Sequence, residues 1–233
     1  MKSDNQQESN NVIIVAGGKG LRMRSDLPKQ FIPVGGKPVL MHTLEAFYTF
    51  DKDIRIVLVL PESHQEYWKS LCNDYNFTVP HYIATGGETR FHSVKSGLSM
   101  VEPGIVAVQD GVRPFASKEL VSRCFEAAKI YKAVIPVINS TDSLREITTA
   151  TESRIIDRSK IRLVQTPQVF EYDLLQKAYE TGYNETFTDD ASVIEATGAT
   201  IHLVEGETTN IKITTPLDLK IGEVILQSKG NLD

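Results

Sequence analysis

Cysteine is nearly absent: only Cys72 and Cys124 occur in the 233 residues. They build neither a disulfide framework nor a Cys-x-x-Cys site. The histidines His42, His64, His81, His92 and His202 show no metal-ligand spacing. No Gly-x-Ser-x-Gly elbow and no Cys/His nucleophile signature is present, which sets aside the common covalent hydrolases. No apolar run approaches the ~20 residues of a membrane span. Positive charge is not in excess, since 25 Lys and Arg face 30 Asp and Glu for a net −5. That balance argues against general binding to nucleic acid or an anionic membrane, but not against a local anion site. No repeat or low-complexity linker divides the chain. Met1 to Asn11 is Ser/Asn/Gln-rich without an apolar core, so it reads as a disordered tail and not a signal peptide, with the cytoplasm as the expected compartment. Residues 12–228 then form one domain, long enough to bury a core without staples.

What is present alternates in period. Val12 to Val15 is an apolar run ending in Ala16-Gly17-Gly18, a buried strand feeding a glycine loop. Ile54 to Leu60, Ile105 to Val108 and Ala133 to Val137 are three more predicted strands. Ser63 to Asn73 opens with Ser63-x-x-Glu66, a capping-box pattern. Val94, Leu98 and Val101 have helical spacing, as do Leu120, Cys124, Ala127 and Tyr131 after a Ser117 cap. Trp68, in a helical pattern, is expected in the core or an interface. Tyr172 to Thr181, Asp189 to Thr197 and Pro216 to about Gln227 are further helices, the last with Thr215 as cap and Asp218 three residues on. Strands alternating with such helices predict an α/β fold of three layers with a mostly parallel sheet. Asn139 to Val164 lacks a helical stripe and reads as an extended arm outside the main sheet.

The chemistry concentrates at a few places. Ala16-Gly17-Gly18-Lys19-Gly20-Leu21-Arg22-Met23 leads into Leu27-Pro28-Lys29-Gln30. It is neither Gly-x-Gly-x-x-Gly nor a Walker A loop. Clustered glycines let backbone N–H groups approach a polyphosphate, and Lys19, Arg22, Arg24 and Lys29 supply a positive field. A turn with solvated basic residues would carry the same glycines. Asp110 and Arg113 follow a predicted strand, where open α/β sheets bind ligands. A carboxylate there accepts hydroxyls or helps hold a metal, and an arginine forks onto phosphate, unless the two simply pair. Gly86-Gly87 before a helix offers N–H groups, and Ser93 a hydroxyl. Arg158 and Lys212 are cations beside β-branched residues that either clamp a phosphate or sit as surface charges. Thr166 and Thr188 are nearby hydroxyl donors, and Thr188 is placed to cap a helix.

Taken together, six ordered blocks resemble a known family. They are Ala16-Gly17-Gly18 through Gln30, Gly86-Gly87-Glu88-Thr89-Arg90 with Ser93, Asp110-Gly111-Val112-Arg113-Pro114, Asp157-Arg158-Ser159 leading to Gln165-Thr166-Pro167-Gln168, Thr188-Asp189-Asp190-Ala191-Ser192, and Asn210-Ile211-Lys212-Ile213-Thr214. They span about Val12 to Leu226. The set is similar to nucleotidyltransferases that charge sugar or polyol phosphates, in the cytidylyltransferase branch that acts on methylerythritol phosphate. Ribitol 5-phosphate cytidylyltransferases, with the same loop, are the alternative, and a non-catalytic nucleotide-binding protein a more distant one.

The resemblance implies a Rossmann-like nucleotidyltransferase domain and a homodimer through the arm. It implies CTP and a polyol phosphate as substrates, with Mg²⁺ or another divalent cation accompanying CTP and with ligands left unknown. It assigns Arg22 and Lys29 to catalysis. Arg158, Lys212, Asp110, Arg113, Thr166, Thr188 and Ser143 would bind the acceptor. Ala16, Gly17, Gly18, Gly20, Gly86, Gly87, Arg90, Ser93 and Gly111 would bind the nucleotide. The family's Pro-Val-x-Asp-Thr-x-Lys is replaced by Pro136-Val137-Ile138-Asn139-Ser140-Thr141-Asp142-Ser143-Leu144-Arg145, with a small insertion. Ser143 and Arg145 then stand in for the threonine and lysine.

Overall fold

The computed structural model describes residues 9–18 and 27–230. In chain order the first half holds β1 (Ser9–Val15), β2 (Pro33–Val34), β3 (Lys37–Pro38), α1 (Val39–Phe50), β4 (Arg55–Leu60), α2 (Glu62–Asp74), β5 (Tyr82–Thr85), α3 (Arg90–Leu98) and β6 (Gly104–Asp110). The second half holds α4 (Lys118–Tyr131), β7 (Ala133–Asn139), β8 (Leu144–Ile147), β9 (Ser153–Ile156), β10 (Arg162–Val164), β11 (Gln168–Glu171), α5 (Tyr172–Glu180), α6 (Asp190–Glu195), β12 (His202–Glu205) and α7 (Pro216–Gly230).

Strands β6, β1, β4 and β5 lie side by side in parallel. β11 joins β6 and β7 antiparallel, and β12 closes the far side of β7 in parallel. The near-continuous apolar strands suit a sheet covered on both faces. Successive side chains alternate between the layers. Val12, Ile14, Ile56 and Leu58 meet Leu40, Leu44, Trp68 and Leu120 of α1, α2 and α4. Ile13, Val57, Val59 and Val106 meet Phe91, Val94, Leu175 and Ile194 of α3, α5 and α6. The three-layer, mostly parallel α/β fold is as expected.

Several local expectations need correction. β1 begins at Ser9, so Ser9 to Asn11 of the expected tail belong to the sheet; the Asn11 amide is buried and bonds the Glu102 and Ile105 carbonyls. α2 starts at Glu62 behind Pro61 with no side-chain cap, so Ser63 is already inside the helix and its capping box does not form. α6 is capped by Asp189 and not by Thr188, because Asp189 and Ser192 satisfy each other's backbone N–H groups. The arm is also shorter than 139–164. Asn139 ends β7 and pairs with Arg162 of β10 in the main sheet, leaving only β8 and β9 as a separate antiparallel hairpin. Ser117 caps α4 as read, accepting from the Leu120 N–H at 2.9 Å; at α7 it is Asp218 that accepts from the Thr215 N–H, at 2.7 Å.

Candidate active site

The chain runs outward from β1 through β4 to β5, then returns to lay β6 on the other side of β1. Open α/β sheets bind ligands at the carboxyl ends of strands beside such a reversal. A cleft of about 340 Å³ lies there, its lining drawn from the ends of β1 and β6, the turn at Lys29, and the amino end of α3. Two glycines set its shape. A Cβ on Gly111 would stand 2.8 Å from that of Ala16, so the loops after β1 and β6 meet only because residue 111 has no side chain. A Cβ on Gly87 would stand 2.4 Å from that of His92.

Pro28-Lys29-Gln30-Phe31 explains itself in structure. Buried Gln30 donates its amide to the Ala16 carbonyl at 2.9 Å, tying the 3₁₀ turn Lys29–Phe31 to the end of β1. Phe31 anchors the turn against Trp68, with ring centroids 6.3 Å apart. Lys29 is thereby held at the cleft, 9% exposed.

Across the cleft sits Asp110, the last residue of β6. Its Oδ1 accepts from Arg90 at 2.7 Å; its Oδ2 accepts from Lys212 at 2.9 Å and from Arg113 at 3.3 Å. Burial alone would push the Asp110 carboxyl up, but Arg90, Lys212 and Arg113 hold it well below the ordinary carboxylate range. The Asp110 N–H donates to Thr166 Oγ1 at 3.1 Å. The loop that carries Lys212 is fastened to the same strand end, because buried Asn210 donates to the Thr166 carbonyl at 2.8 Å and accepts through its own carbonyl from Arg113 at 2.8 Å. Lys212 is 42% exposed.

Of the expected residues, Ala16, Gly17, Gly18, Lys29, Gly86, Gly87, Arg90, Ser93, Asp110 and Lys212 line this one cleft. Gly20 and Arg22 lie outside the described residues. Gly111 is buried behind Ala16, and Thr166 sits behind Asp110. Arg113 turns its fork inward to Asp110 and Asn210, the pairing that its sequence position left open. The N–H groups expected from Gly86 and Gly87 are not on offer: the first donates to the Leu60 carbonyl at 2.8 Å and the second to Ser93 Oγ at 3.1 Å. Arg158 and Ser143 are exposed on and beside the hairpin, Arg158 donating to the Thr141 carbonyl at 2.7 Å. Thr188 lies one residue before Asp189, the cap of α6. Sequence reasoning gave Gln30 no role of its own and left Asp190 unassigned. Asp190 is wholly buried, and its Oδ2 accepts from Arg90 at 2.7 Å.

No trio of His, Cys, Asp or Glu among the described residues is arranged to hold a metal. The carboxylates lining the cleft are Glu88 and Asp110, and Asp110 already faces three cations. These residues do not fit a protein-held metal. A divalent cation arriving on a triphosphate belongs to that substrate. Among the described residues no helix is long and apolar enough to cross a membrane.

Comparison with known proteins gives consistent matches in sequence and in fold. The profile of the family described as 2-C-methyl-D-erythritol 4-phosphate cytidylyltransferase matches residues 11–228. Proteins of that name from Bacteroides thetaiotaomicron and Phocaeicola vulgatus are 60% and 59% identical, each over 92% of this chain and 98% of the relative. A solved 4-diphosphocytidyl-2C-methyl-D-erythritol synthase from Anaerococcus prevotii superposes with a TM-score of 0.80 at 32% identity, over 94% of this chain and 99% of its own. The cytidylyltransferase structure from Thermus thermophilus gives 0.78 at 33%, with the same coverage.

Proposed function

The chain belongs to the 2-C-methyl-D-erythritol 4-phosphate cytidylyltransferase family, and from that premise we propose how its own residues carry the reaction. The protein transfers a cytidylyl group from CTP to 2-C-methyl-D-erythritol 4-phosphate and releases pyrophosphate, a step in non-mevalonate isoprenoid synthesis. A phosphate monoester has its second pKa near ~6, so at neutral pH the acceptor is mostly a dianion and already a nucleophile. It needs no general base, in keeping with a cleft whose described lining contains no His or Cys. The task is to bring two polyanions together and to stabilise charge at the α-phosphorus.

Lys29 is the described cation for the triphosphate and the transition state, with Arg22 as its partner from the glycine loop. Ala16, Gly17 and Gly18 let the nucleotide approach the backbone. The turn from Gly86 to Ser93 shapes the base and ribose end, with the amino end of the nine-residue α3 favouring negative charge. Lys212 takes the acceptor phosphate, with Asp110 and Thr166 arranging its hydroxyl end. The observation that carries this reading is the convergence of Lys29 and Lys212, from opposite ends of the sequence, on one cleft at the sheet's reversal point.

The arm supplies the rest. Ile147 and Ile155 share one face of the β8–β9 hairpin and are 73% and 76% exposed. A second copy of the chain covers that face, and Arg158 serves the acceptor site of the partner. The test is pyrophosphate release with CTP, UTP, ATP and GTP against methylerythritol phosphate and ribitol 5-phosphate. CTP with methylerythritol phosphate should turn over fastest. Equal rates with UTP would remove the cytosine preference, and turnover of ribitol 5-phosphate alone would replace the acceptor.

A further inference from the structure

We propose that Asp190 is a positioning residue for acceptor binding, acting through Arg90 on the Asp110–Lys212 pair; this rests on the assignment of Lys212 to the acceptor phosphate. In the Thr-Asp-x-Ala-Ser pattern Asp190 occupies the unspecified place, so the pattern carries no expectation for it. The structure gives it a definite one. The Arg90 guanidinium is split between two carboxylates, one N–H going to Asp110 Oδ1 at 2.7 Å and another to Asp190 Oδ2 at 2.7 Å. A guanidinium facing a single carboxylate prefers the bidentate fork. Asp190 therefore competes with Asp110 for Arg90. The competition leaves Asp110 Oδ2 to Lys212 at 2.9 Å and Arg113 at 3.3 Å.

Asp190 itself is held from two sides. The Tyr179 hydroxyl donates to its Oδ1 at 2.6 Å, and the Tyr179 ring stacks on Phe91 with centroids 4.7 Å apart. Its helix is pinned to β11 by Gln168, which donates to Asp189 Oδ2 at 2.7 Å and accepts from the Ala191 N–H at 2.9 Å. A relay runs from Tyr179 through Asp190, Arg90 and Asp110 to Lys212, the one member of it with an exposed ammonium. Without the Asp190 charge, Arg90 closes both N–H groups on Asp110, and Lys212 loses the oxygen that stations it.

The test is steady-state kinetics with CTP and methylerythritol phosphate varied separately. Asp190→Asn, which keeps the side-chain shape, should raise the acceptor KM about 10-fold while kcat and the CTP KM stay within about 3-fold. Tyr179→Phe should move the acceptor KM the same way by less. In a Lys212→Ala background Asp190→Asn should add nothing, because both changes act on one contact. An unchanged acceptor KM, additive effects in the double variant, or a joint loss in kcat and both KM values would overturn the proposal. If Asp190→Asn fails to fold, Tyr179→Phe, which removes one oxygen, carries the test alone. Lys212→Ala is the control on the premise. An unaltered acceptor KM there removes Lys212 from the acceptor site and the proposal with it. A raised one there, beside an unaltered Asp190→Asn, removes only the positioning role.

Discussion

The carboxyl end of the parallel sheet and the β8–β9 hairpin both gather charged side chains, in opposite settings. At the sheet end, Arg90, Arg113 and Lys212 converge on a buried Asp110, and every partner comes from the same chain. On the hairpin, Arg154 meets Glu146 at 2.5 Å and Arg145 meets Ser153 Oγ at 2.6 Å, both in water. Its apolar residues Ile147 and Ile155 have nothing of this chain to cover them. Buried pairs fix geometry because breaking one leaves a bare charge in a poor solvent, whereas exposed pairs are worth little. The sheet end is thus assembled by its own fold, whereas the hairpin carries an apolar face that its own chain leaves uncovered.

The largest expected difference between the two regions is in their aspartates. Asp110→Asn leaves three cations facing an amide and should cost about 3–5 kcal/mol of unfolding free energy at neutral pH. The Asp110 carboxyl is held below its ordinary value, so its contribution is present above roughly pH 3.9 and is lost as pH falls further. Denaturant curves of the wild type and Asp110→Asn should therefore converge in acid. Asp157 is also held low, by the Ser159 hydroxyl and N–H, but it is fully exposed. Asp157→Asn should displace the curves far less at every pH, because solvent screens an exposed carboxylate. Curves that run parallel for Asp110→Asn, or an equal displacement for Asp157→Asn, would break the contrast.

Next come the cations of each region. Lys29→Ala should lower kcat by about 10²-fold, roughly 3 kcal/mol of transition-state stabilisation, with a smaller change in the CTP KM. Near-normal turnover would take Lys29 out of the chemistry. Arg158→Ala should act on the acceptor KM, through loss of a charge-assisted contact of about 1.5–3 kcal/mol. If Arg158 reaches the partner's site, a heterodimer of Lys29→Ala and Arg158→Ala chains contains one intact site. Mixing should then recover activity above either variant alone. Heterodimers that form without recovery would place both residues in one chain's site.

The same contrast explains what could be read from the residues. The buried parallel strands were legible because an uninterrupted apolar run such as Ile56 to Leu60 has few other uses. Gly17, Gly18, Lys29, Asp110 and Lys212, which line one cleft, were legible as candidates through ordered motifs. β5, β11 and β12 were not: each has four residues, and β5 and β12 place half or more of them in solvent, so their membership is decided by neighbours distant in sequence. Asp190 was hidden for a similar reason. Nothing near it in sequence announces Arg90, and only the fold, which sets α3, α5 and α6 in one hydrophobic cluster, brings them together. Nor does a glycine pattern reveal that the N–H groups of Gly86 and Gly87 already have partners in Leu60 and Ser93.

The smallest expected effect sharpens the comparison most. Residues alternate across a hairpin, and the pairing of Arg145 with Ile155 and of Ile147 with Ser153 puts Ile147 and Ile155 on one face. Both are largely exposed in the single chain, so exchanging them for serine removes almost no packing within it. Ile147→Ser and Ile155→Ser should each leave the unfolding free energy of the monomer within about 0.5 kcal/mol of wild type. If a second copy covers this face, each buried isoleucine contributes there on the order of 1.5–3 kcal/mol, so the double variant should dissociate at concentrations where the wild type stays paired. Sedimentation over a dilution series reads the association, and denaturation at low concentration reads the monomer. The acceptor KM should rise together with dissociation, since Arg158 then has no partner site to enter. A double variant that dissociates with its acceptor KM unchanged would separate the arm's assembly from its chemistry. One that remains paired would show that the hairpin's apolar face is not where the copies meet.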